Sequence, residues 1–179
     1  MGLMDLFSST PEPKPEDFAA VEAAADPAFV DAPVSGAVIE RQDVESGIFA
    51  EGLLGKGCGI QPQEDVLYAP VTGTVTVTFA GSRHAIGFVG EGGVQVIVHV
   101  GLGTVKMEGK GFTYLVEQGA SVTAGQPVLA FSRDLIKEAG YDPIVTVAVA
   151  NAEELGAVAL VAHGHVDAGE KLLQVLPQA

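Results

Sequence analysis

Two histidines in the middle of the chain, His84 and His99, are the side chains whose type and spacing could do chemistry. His99 stands near the end of a run of Val and Ile, "VQVIVHV" at 94–100, and a Gly-Leu-Gly-Thr turn follows it at once. A neutral imidazole is a nucleophile, a hydrogen-bond donor or a metal ligand near neutral pH. Two imidazoles on adjacent strands could therefore share one small anion or one metal ion.

The segments that carry the two histidines predict a β-hairpin. Over 94–100 every second residue is a valine, so that His99 faces the other way, with Gln95 and Ile97. "HAIGF" at 84–88 alternates in the same way and places His84 on one face with Ile86 and Phe88. The glycine-rich 90–93, "GEGG", is typical of a tight connection. With the bend near Gly92, both histidines lie at the same end of the hairpin, roughly opposite one another.

Four roles are open to such a pair. The pair could be structural, could bind zinc, or could belong to the active site of a hydrolase. In the fourth role, one imidazole takes a group covalently while the other hydrogen-bonds to that group. A zinc site usually wants a third ligand on the same face, and the "HGH" at 163–165 falls in a later turn segment. A hydrolase needs an activated nucleophile, and the chain has no G-x-S-x-G elbow. Residue types and spacing do not choose between the structural and the nucleophilic role.

Composition limits the class of protein. The 179 residues carry a formal net charge of −14 and are 47% hydrophobic, so we expect a folded chain whose surface repels nucleic acid and anionic membranes. Cys58 is the only cysteine, which excludes an internal disulfide and suits the cytoplasm. Its place between glycines predicts a small buried side chain. The sequence lacks a run of roughly 18 apolar residues, the length of a membrane span.

The chain divides near residue 30. Residues 1–30 are acidic and proline-rich, and we expect a flexible tail with a frayed helix over 18–25. Its first residues, "MGLMDLF", are a candidate amphipathic turn at a membrane surface. Residues 31–179 hold short strand-like segments, among them "VALVAHGHV" at 158–166, and one convincing helix over 132–139. This pattern, with 23 glycines, predicts an all-β sandwich or barrel.

Short internal sequence repeats favour a sandwich of intertwined hairpins. "APVSGAV" at 32–38 is nearly repeated as "APVTGTV" at 69–75. "VTAGQPVLAF" at 122–131 shares its turn and apolar strand with "VDAGEKLLQV" at 166–175. The unequal periods argue against a solenoid.

Several separated blocks resemble one known family. They are "GIFAEGLLGKGCGIQP" (47–62), "APVTGTV" (69–75), "RHAIGF" (83–88), "VIVHVGLGTVKMEGKGF" (96–112) and "VEQGASVTAGQPVLAF" (116–131). Their order and spacing resemble the glucose-type enzyme IIA domain of the bacterial phosphoenolpyruvate-dependent sugar phosphotransferase system, over about 150 residues from near Asp31. The resemblance implies a compact antiparallel β-sandwich of duplicated hybrid-motif type.

The resemblance also implies roles for residues. His99 takes a phosphoryl group on Nε2 from the phosphohistidine of the carrier protein HPr and passes it to a cysteine of a IIB domain. His84 hydrogen-bonds to that group, and Ser82 orients His84. The family implies a cytoplasmic phosphotransferase component without cofactor or metal, which we expect to be monomeric. Regulatory targets are a further class of partner.

The family's partner-binding face is a shallow apolar ring around the active histidine. The matching residues here are Ile48, Phe49, Leu53, Leu54 and Val100, of which Phe49 is the best candidate for surface contact. The family also places acidic residues where this chain has Ser46 and Gly103, although Glu45 stands beside the first. These departures leave the strength and identity of docking open.

Two other functions remain. One is a non-catalytic regulatory binding module of the same fold. The other is a lysostaphin-type zinc peptidase, whose H-x-H ligand pair the hairpin lacks. The sugar and the IIB partner are not given by the sequence.

Overall fold

The computed structural model describes residues 11–177, which form fourteen β-strands and three short α-helices. The first seven strands are β1 (Phe29–Asp31), β2 (Gly36–Glu40), β3 (Lys56–Pro62), β4 (Val66–Tyr68), β5 (Gly73–Thr78), β6 (Ala85–Gly90) and β7 (Gln95–Val100). The last seven are β8 (Phe112–Tyr114), β9 (Ser121–Val122), β10 (Pro127–Phe131), β11 (Val145–Val149), β12 (Gly156–Leu160), β13 (His165–Val166) and β14 (Lys171–Pro177). The α-helices are α1 (Gly47–Ala50), α2 (Arg133–Glu138) and α3 (Ala152–Leu155). Short 3-10 turns lie at Pro15–Asp17, Arg41–Asp43, Glu91–Gly93 and Thr104–Met107.

Strand pairing is antiparallel in all three sheets formed by residues 11–177. The large sheet has the order β13-β2-β3-β11-β7-β6-β5-β9, and the small sheets have the orders β1-β14-β12 and β4-β10-β8. The inner face of the large sheet forms the main core, which includes Val98, Val147 and Ile60. The all-β antiparallel sandwich predicted from the sequence is confirmed.

The repeated sequence segments occupy equivalent positions in two interlocked halves of the domain. Gly36 begins β2 and pairs with Val166, whereas Gly73 begins β5 and pairs with Val122. A Cβ on Gly36 would lie 1.9 Å from the Gln61 carbonyl oxygen, and one on Gly73 would lie 2.0 Å from that of Val89. Both repeats therefore need glycine at the same step, because a neighbouring backbone approaches too closely for any side chain.

The helix predicted over 18–25 is wrong. These residues form no helix, and the Val21 amide donates to the Gly125 carbonyl at 3.0 Å while the Ala24 amide donates to the Gly169 carbonyl at 2.9 Å. Phe18 and Val21 also pack against an apolar cluster of the domain. Alanine-rich composition favours a helix only weakly, and these tertiary contacts outweigh it. The candidate membrane turn at 1–7 lies outside the described residues.

The helix predicted over 132–139 is confirmed as α2. The Ser132 hydroxyl accepts a hydrogen bond from the Leu135 amide at 3.2 Å, as an N-cap should, and Gly140 follows with φ +89°. The segment 158–166, expected as one strand, is two, because the chain leaves one sheet after β12 and enters another at β13. Among residues 11–177, none of the helices has the length and apolar character needed to cross a membrane.

Candidate functional site

The hairpin that carries His99 is confirmed. β6 and β7 pair antiparallel with His99 opposite Ala85, and the turn between them contains Gly92 at φ +80° and Gly93 at φ +83°. The alternate valines of β7 are buried in the main core. His99 projects from the opposite, outer face of the large sheet.

His84 lies beside His99, but it does so from the loop before β6 and not, as the alternation predicts, from within the strand. Strand β6 begins only at Ala85, and Arg83 has φ +52°, so the chain turns at His84 instead of continuing the pleat. The expectation that His84 shares one face with Ile86 and Phe88 is therefore wrong, because those two side chains are buried in the core. The His84 carbonyl accepts from the Val100 amide at 2.7 Å, and the ring centroids of His84 and His99 lie 5.6 Å apart. The expected pairing of the two imidazoles is confirmed.

A small apolar cluster covers the outer face of the large sheet next to His99. Its buried members are Val44, Phe49, Ile144 and Ala148, and Ile39, Ile97 and Leu102 pack against them. Burial, together with the nearby His84, lowers the pKa of His99 to about 4. His99 is therefore neutral at physiological pH, which leaves a ring nitrogen lone pair available for attack.

His84 is held from its Nδ1 side. The Ser82 hydroxyl lies 2.7 Å from this nitrogen, and the Phe79 ring lies 5.4 Å from the His84 ring. Burial lowers the pKa of His84, so its ring is also favoured in the neutral form. If the Ser82 hydroxyl donates to Nδ1, the single ring proton is placed on Nε2. The predicted contact between Ser82 and His84 is thus present.

The turn after His99 is fixed by its own hydrogen bonds. Gly101 and Gly103 both have φ +81°, a conformation that favours glycine. The buried Thr104 hydroxyl donates to the Val100 carbonyl at 2.5 Å, and the Gly101 amide donates to the Ile144 carbonyl at 2.7 Å. The turn therefore starts from a rigid point directly after the histidine.

A shallow cavity of about 340 Å³ opens over the two imidazoles. Its lining joins four parts of the chain, which contribute Glu45, Ser46, Phe49 and Leu54, then His84, then His99 with Gly101–Val105, and finally Thr146. Thr146 is the direct neighbour of His99 on β11 and is a lining residue that the sequence reasoning missed. Alternation in "PIVTVAVAN" predicts which face of the strand Thr146 occupies. It does not predict that Thr146 lies next to His99, because the register between β11 and β7 is a long-range property.

The apolar side chains beside this cavity differ in exposure. Ile48, Leu53 and Leu54 are 58%, 71% and 40% exposed, and Val105, which was not expected here, is 52% exposed. Phe49 is only 2% exposed, because it packs into the outer-face cluster, and Val100 is fully buried because alternation turns it to the main core. The expectation of surface contact by Phe49 and Val100 is therefore not met in this structure.

Cys58 is fully buried in the main core, as predicted, and burial raises the pKa of its thiol to about 12. Among residues 11–177, no three or more His, Cys, Asp or Glu side chains are grouped so that they could hold a metal ion.

Comparison with known proteins gives one family. The profile of the phosphoenolpyruvate-dependent sugar phosphotransferase system EIIA 1 family matches residues 28–155. The glucose-specific EIIA component of Halalkalibacterium halodurans is 34% identical over 79% of this chain and 82% of its own length. The β-glucoside-specific EIIBCA component of Bacillus subtilis is 37% identical over 81% of this chain, but this chain spans only 24% of that protein.

A solved structure shows the same fold. The glucose permease IIA from Mycoplasma capricolum superimposes with a TM-score of 0.71 at 28% sequence identity, over 81% of this chain and 93% of that one. The family profile match spans the segment that carries both histidines. The chain belongs to the EIIA 1 family of the phosphoenolpyruvate-dependent sugar phosphotransferase system.

Proposed function

We propose that His99 is the phosphoryl acceptor of a carrier that takes its phosphoryl group from HPr and delivers it to a IIB domain. The observation that carries the proposal is the paired site itself. A mostly buried, neutral imidazole faces a second imidazole at 5.6 Å, whose Nδ1 lies 2.7 Å from a serine hydroxyl. One ring supplies the nucleophile, and the other supplies an oriented hydrogen-bond donor.

The two transfers balance without a cofactor. The Nε2 lone pair of His99 attacks phosphorus, and the bond from phosphorus to the donor histidine nitrogen breaks with its electrons returning to that nitrogen. In the second step a cysteine thiolate attacks phosphorus, and the bond to His99 breaks with its electrons returning to Nε2. Such transfers have a loose transition state, so positioning and hydrogen bonds to the equatorial oxygens carry most of the catalysis. The Nε2–H of His84 is the donor that this geometry offers.

The partner surface proposed here is built on exposed apolar side chains. Leu54 lines the cavity, Ile48 and Leu53 are exposed on the same short segment of the chain, and Phe49 anchors that segment in the outer-face cluster. Docking of a partner would remove water from the histidine pair, which strengthens each hydrogen bond to the phosphoryl group. Val100 belongs to the support beneath His99 and not to the surface.

The receiving permease is proposed from the relatives. The curated relatives include β-glucoside-specific, glucose-specific and N-acetylglucosamine-specific systems, the last from Escherichia coli at 33% identity. We propose that the IIB partner of this chain belongs to a permease for glucose, N-acetylglucosamine or a β-glucoside. We also propose that this chain acts as a monomer in the cytoplasm.

Intact mass after incubation with phosphoenolpyruvate, enzyme I and HPr tests the proposal. We expect one acid-labile phosphoryl increment on the wild type and on His84→Gln, and none on His99→Gln. No increment on the wild type with a competent cognate HPr would contradict the carrier function and leave a binding module of the same fold. An increment that persists on His99→Gln would assign a different acceptor.

A further inference from the structure

One tyrosine hydroxyl forms hydrogen bonds with both ends of the loop that carries His84. The Tyr114 hydroxyl accepts a hydrogen bond from the Phe79 amide at 2.9 Å and donates one to the Ala85 carbonyl. These two backbone groups stand at the two ends of the loop 79–85, which runs from the residue after β5 to the first residue of β6. Tyr114 itself comes from β8, in one of the small sheets. The loop is thereby fastened to a different layer of the sandwich.

Both ends of this loop touch the histidine pair. The Phe79 ring lies 5.4 Å from the His84 ring, and Ala85 is the cross-strand partner of His99. Between them the Arg83 amide donates to the Phe79 carbonyl at 2.7 Å, and Arg83 has the uncommon φ of +52°. A backbone turn of this kind persists only where its surroundings hold it.

We propose that Tyr114 is a positioning residue for the phosphotransfer site, with its hydroxyl clamping the loop 79–85 so that His84 stays aimed at the group on His99. The inference rests on the proposed function. The Tyr114 side chain is partly buried, and burial raises the pKa of its hydroxyl, so the group remains a donor at neutral pH.

The clamp acts on His84 more than on His99. His99 is fixed by its strand pairing with Ala85 and Thr146 and by the turn that begins at Gly101. His84 precedes its strand and depends on the loop for its direction. Loss of the Tyr114 hydroxyl should therefore leave phosphoryl acceptance on His99 nearly unchanged and slow the delivery step that uses the His84 donor.

The test compares Tyr114→Phe with Tyr68→Phe. Tyr68 lies on β4 of the same small sheet, belongs to the apolar cluster of Val66 and Leu115, and makes none of the hydrogen bonds of Tyr114, so it controls for removal of a tyrosine hydroxyl as such. NMR on the unphosphorylated protein measures amide exchange at Phe79 and the ring resonances of His84. Rapid quench with labelled phospho-HPr, then with a IIB domain, measures the two half-reactions, and thermal unfolding reports the stability of each variant.

We expect Tyr114→Phe to speed amide exchange at Phe79, to shift the His84 resonances and to slow delivery about five- to tenfold, with acceptance changed less than about twofold. Tyr68→Phe should change none of these. Unchanged His84 resonances, or a delivery rate equal to that of Tyr68→Phe, would overturn the clamp. If the wild type accepts no phosphoryl group, the proposed function fails, while the NMR comparison still decides whether Tyr114 positions His84.

Discussion

The residue directly opposite His99 on the neighbouring strand is Ala85, not His84, although the two imidazole centroids lie 5.6 Å apart. A methyl group opposite the ring leaves room that a larger side chain would fill. His84 approaches His99 from the loop that precedes β6, where its carbonyl accepts a hydrogen bond from the Val100 amide. The pair therefore depends both on a small residue in the strand and on the turn at Arg83.

The protonation of His99 is the first prediction. Because burial and His84 lower its pKa to about 4, we expect the ring to stay neutral throughout the range from pH 8 to pH 5. Long-range ¹H–¹⁵N NMR spectra recorded along a pH titration measure this directly. A midpoint near 6.5 would show that the ring is solvated in solution and would contradict the buried placement.

The same pKa predicts the effect of acid on stability. The unfolded chain binds a proton on His99 at about pH 6.5, whereas the folded chain binds it only at about 4, so acid favours unfolding across that window. From pH 7 to pH 4 this group should remove about 3 kcal/mol from the free energy of unfolding. His99→Gln should flatten that part of the profile in denaturant titrations. Equal slopes for wild type and variant would contradict it.

Ser82 provides a prediction about the donor. Ser82→Ala removes the oxygen that lies 2.7 Å from His84 Nδ1, so the ring proton is no longer directed to Nε2. We expect delivery from phosphorylated His99 to a IIB cysteine to fall about tenfold, the cost of one lost hydrogen bond to an oriented group.

Ser82→Thr keeps the hydroxyl and is the matched control for that change, with a delivery rate close to wild type. The ¹⁵N shifts of His84 report the tautomer in each variant. A mixture of tautomers already present in the wild type would show that Ser82 does not select one.

The exposed apolar side chains provide a prediction about docking. Leu53 is 71% exposed and directly precedes Leu54, which lines the histidine cavity, and a charge at Leu53 would have to be desolvated when a partner binds. We expect Leu53→Glu to weaken binding of HPr about tenfold in a titration calorimeter without lowering the unfolding temperature.

Leu176→Glu is the control, because Leu176 is 39% exposed on β14, in a different sheet from the histidines. Equal affinities for the two glutamate variants would place the docking surface away from Leu53.

Asp31 provides a prediction unrelated to the site. Its side chain is 1% exposed, Oδ2 accepts from the Ala25 amide at 3.0 Å, and Oδ1 has no hydrogen-bond partner among the described residues. Burial raises the pKa of this carboxyl above its ordinary value, so folding disfavours its charged form and the protein loses stability as pH rises and the group ionises.

Asp31→Asn carries no such charge. We expect the free energy of unfolding of the variant, relative to wild type, to increase as pH rises from 4 to 7.5 in urea titrations, because only the wild type must bury a charge there. A difference that stays constant with pH would show that a bound solvent cation or water already satisfies Oδ1.

Much of the site could be predicted from local pattern. Period-two alternation and the glycine turn were enough for the β6–β7 hairpin and for the outward face of His99. The direction of His84 was not, because a positive φ at Arg83 is a tertiary outcome at a residue that usually avoids it. The burial of Phe49 was missed for a related reason, since its neighbours Ile144 and Ala148 lie almost a hundred residues away along the chain.

The extended segment at 21–24 has a consequence for how the domain unfolds. Val21 donates to Gly125 and Ala24 donates to Gly169, so one short stretch of backbone bonds to the matching turn of each repeat. If either repeat unfolds at its turn, residues 21–24 lose one of these hydrogen bonds, and the contact that they make with the other repeat is weakened as well. The duplicated halves are therefore joined into one cooperative unit, and a partly melted form with one intact repeat should be scarcely populated.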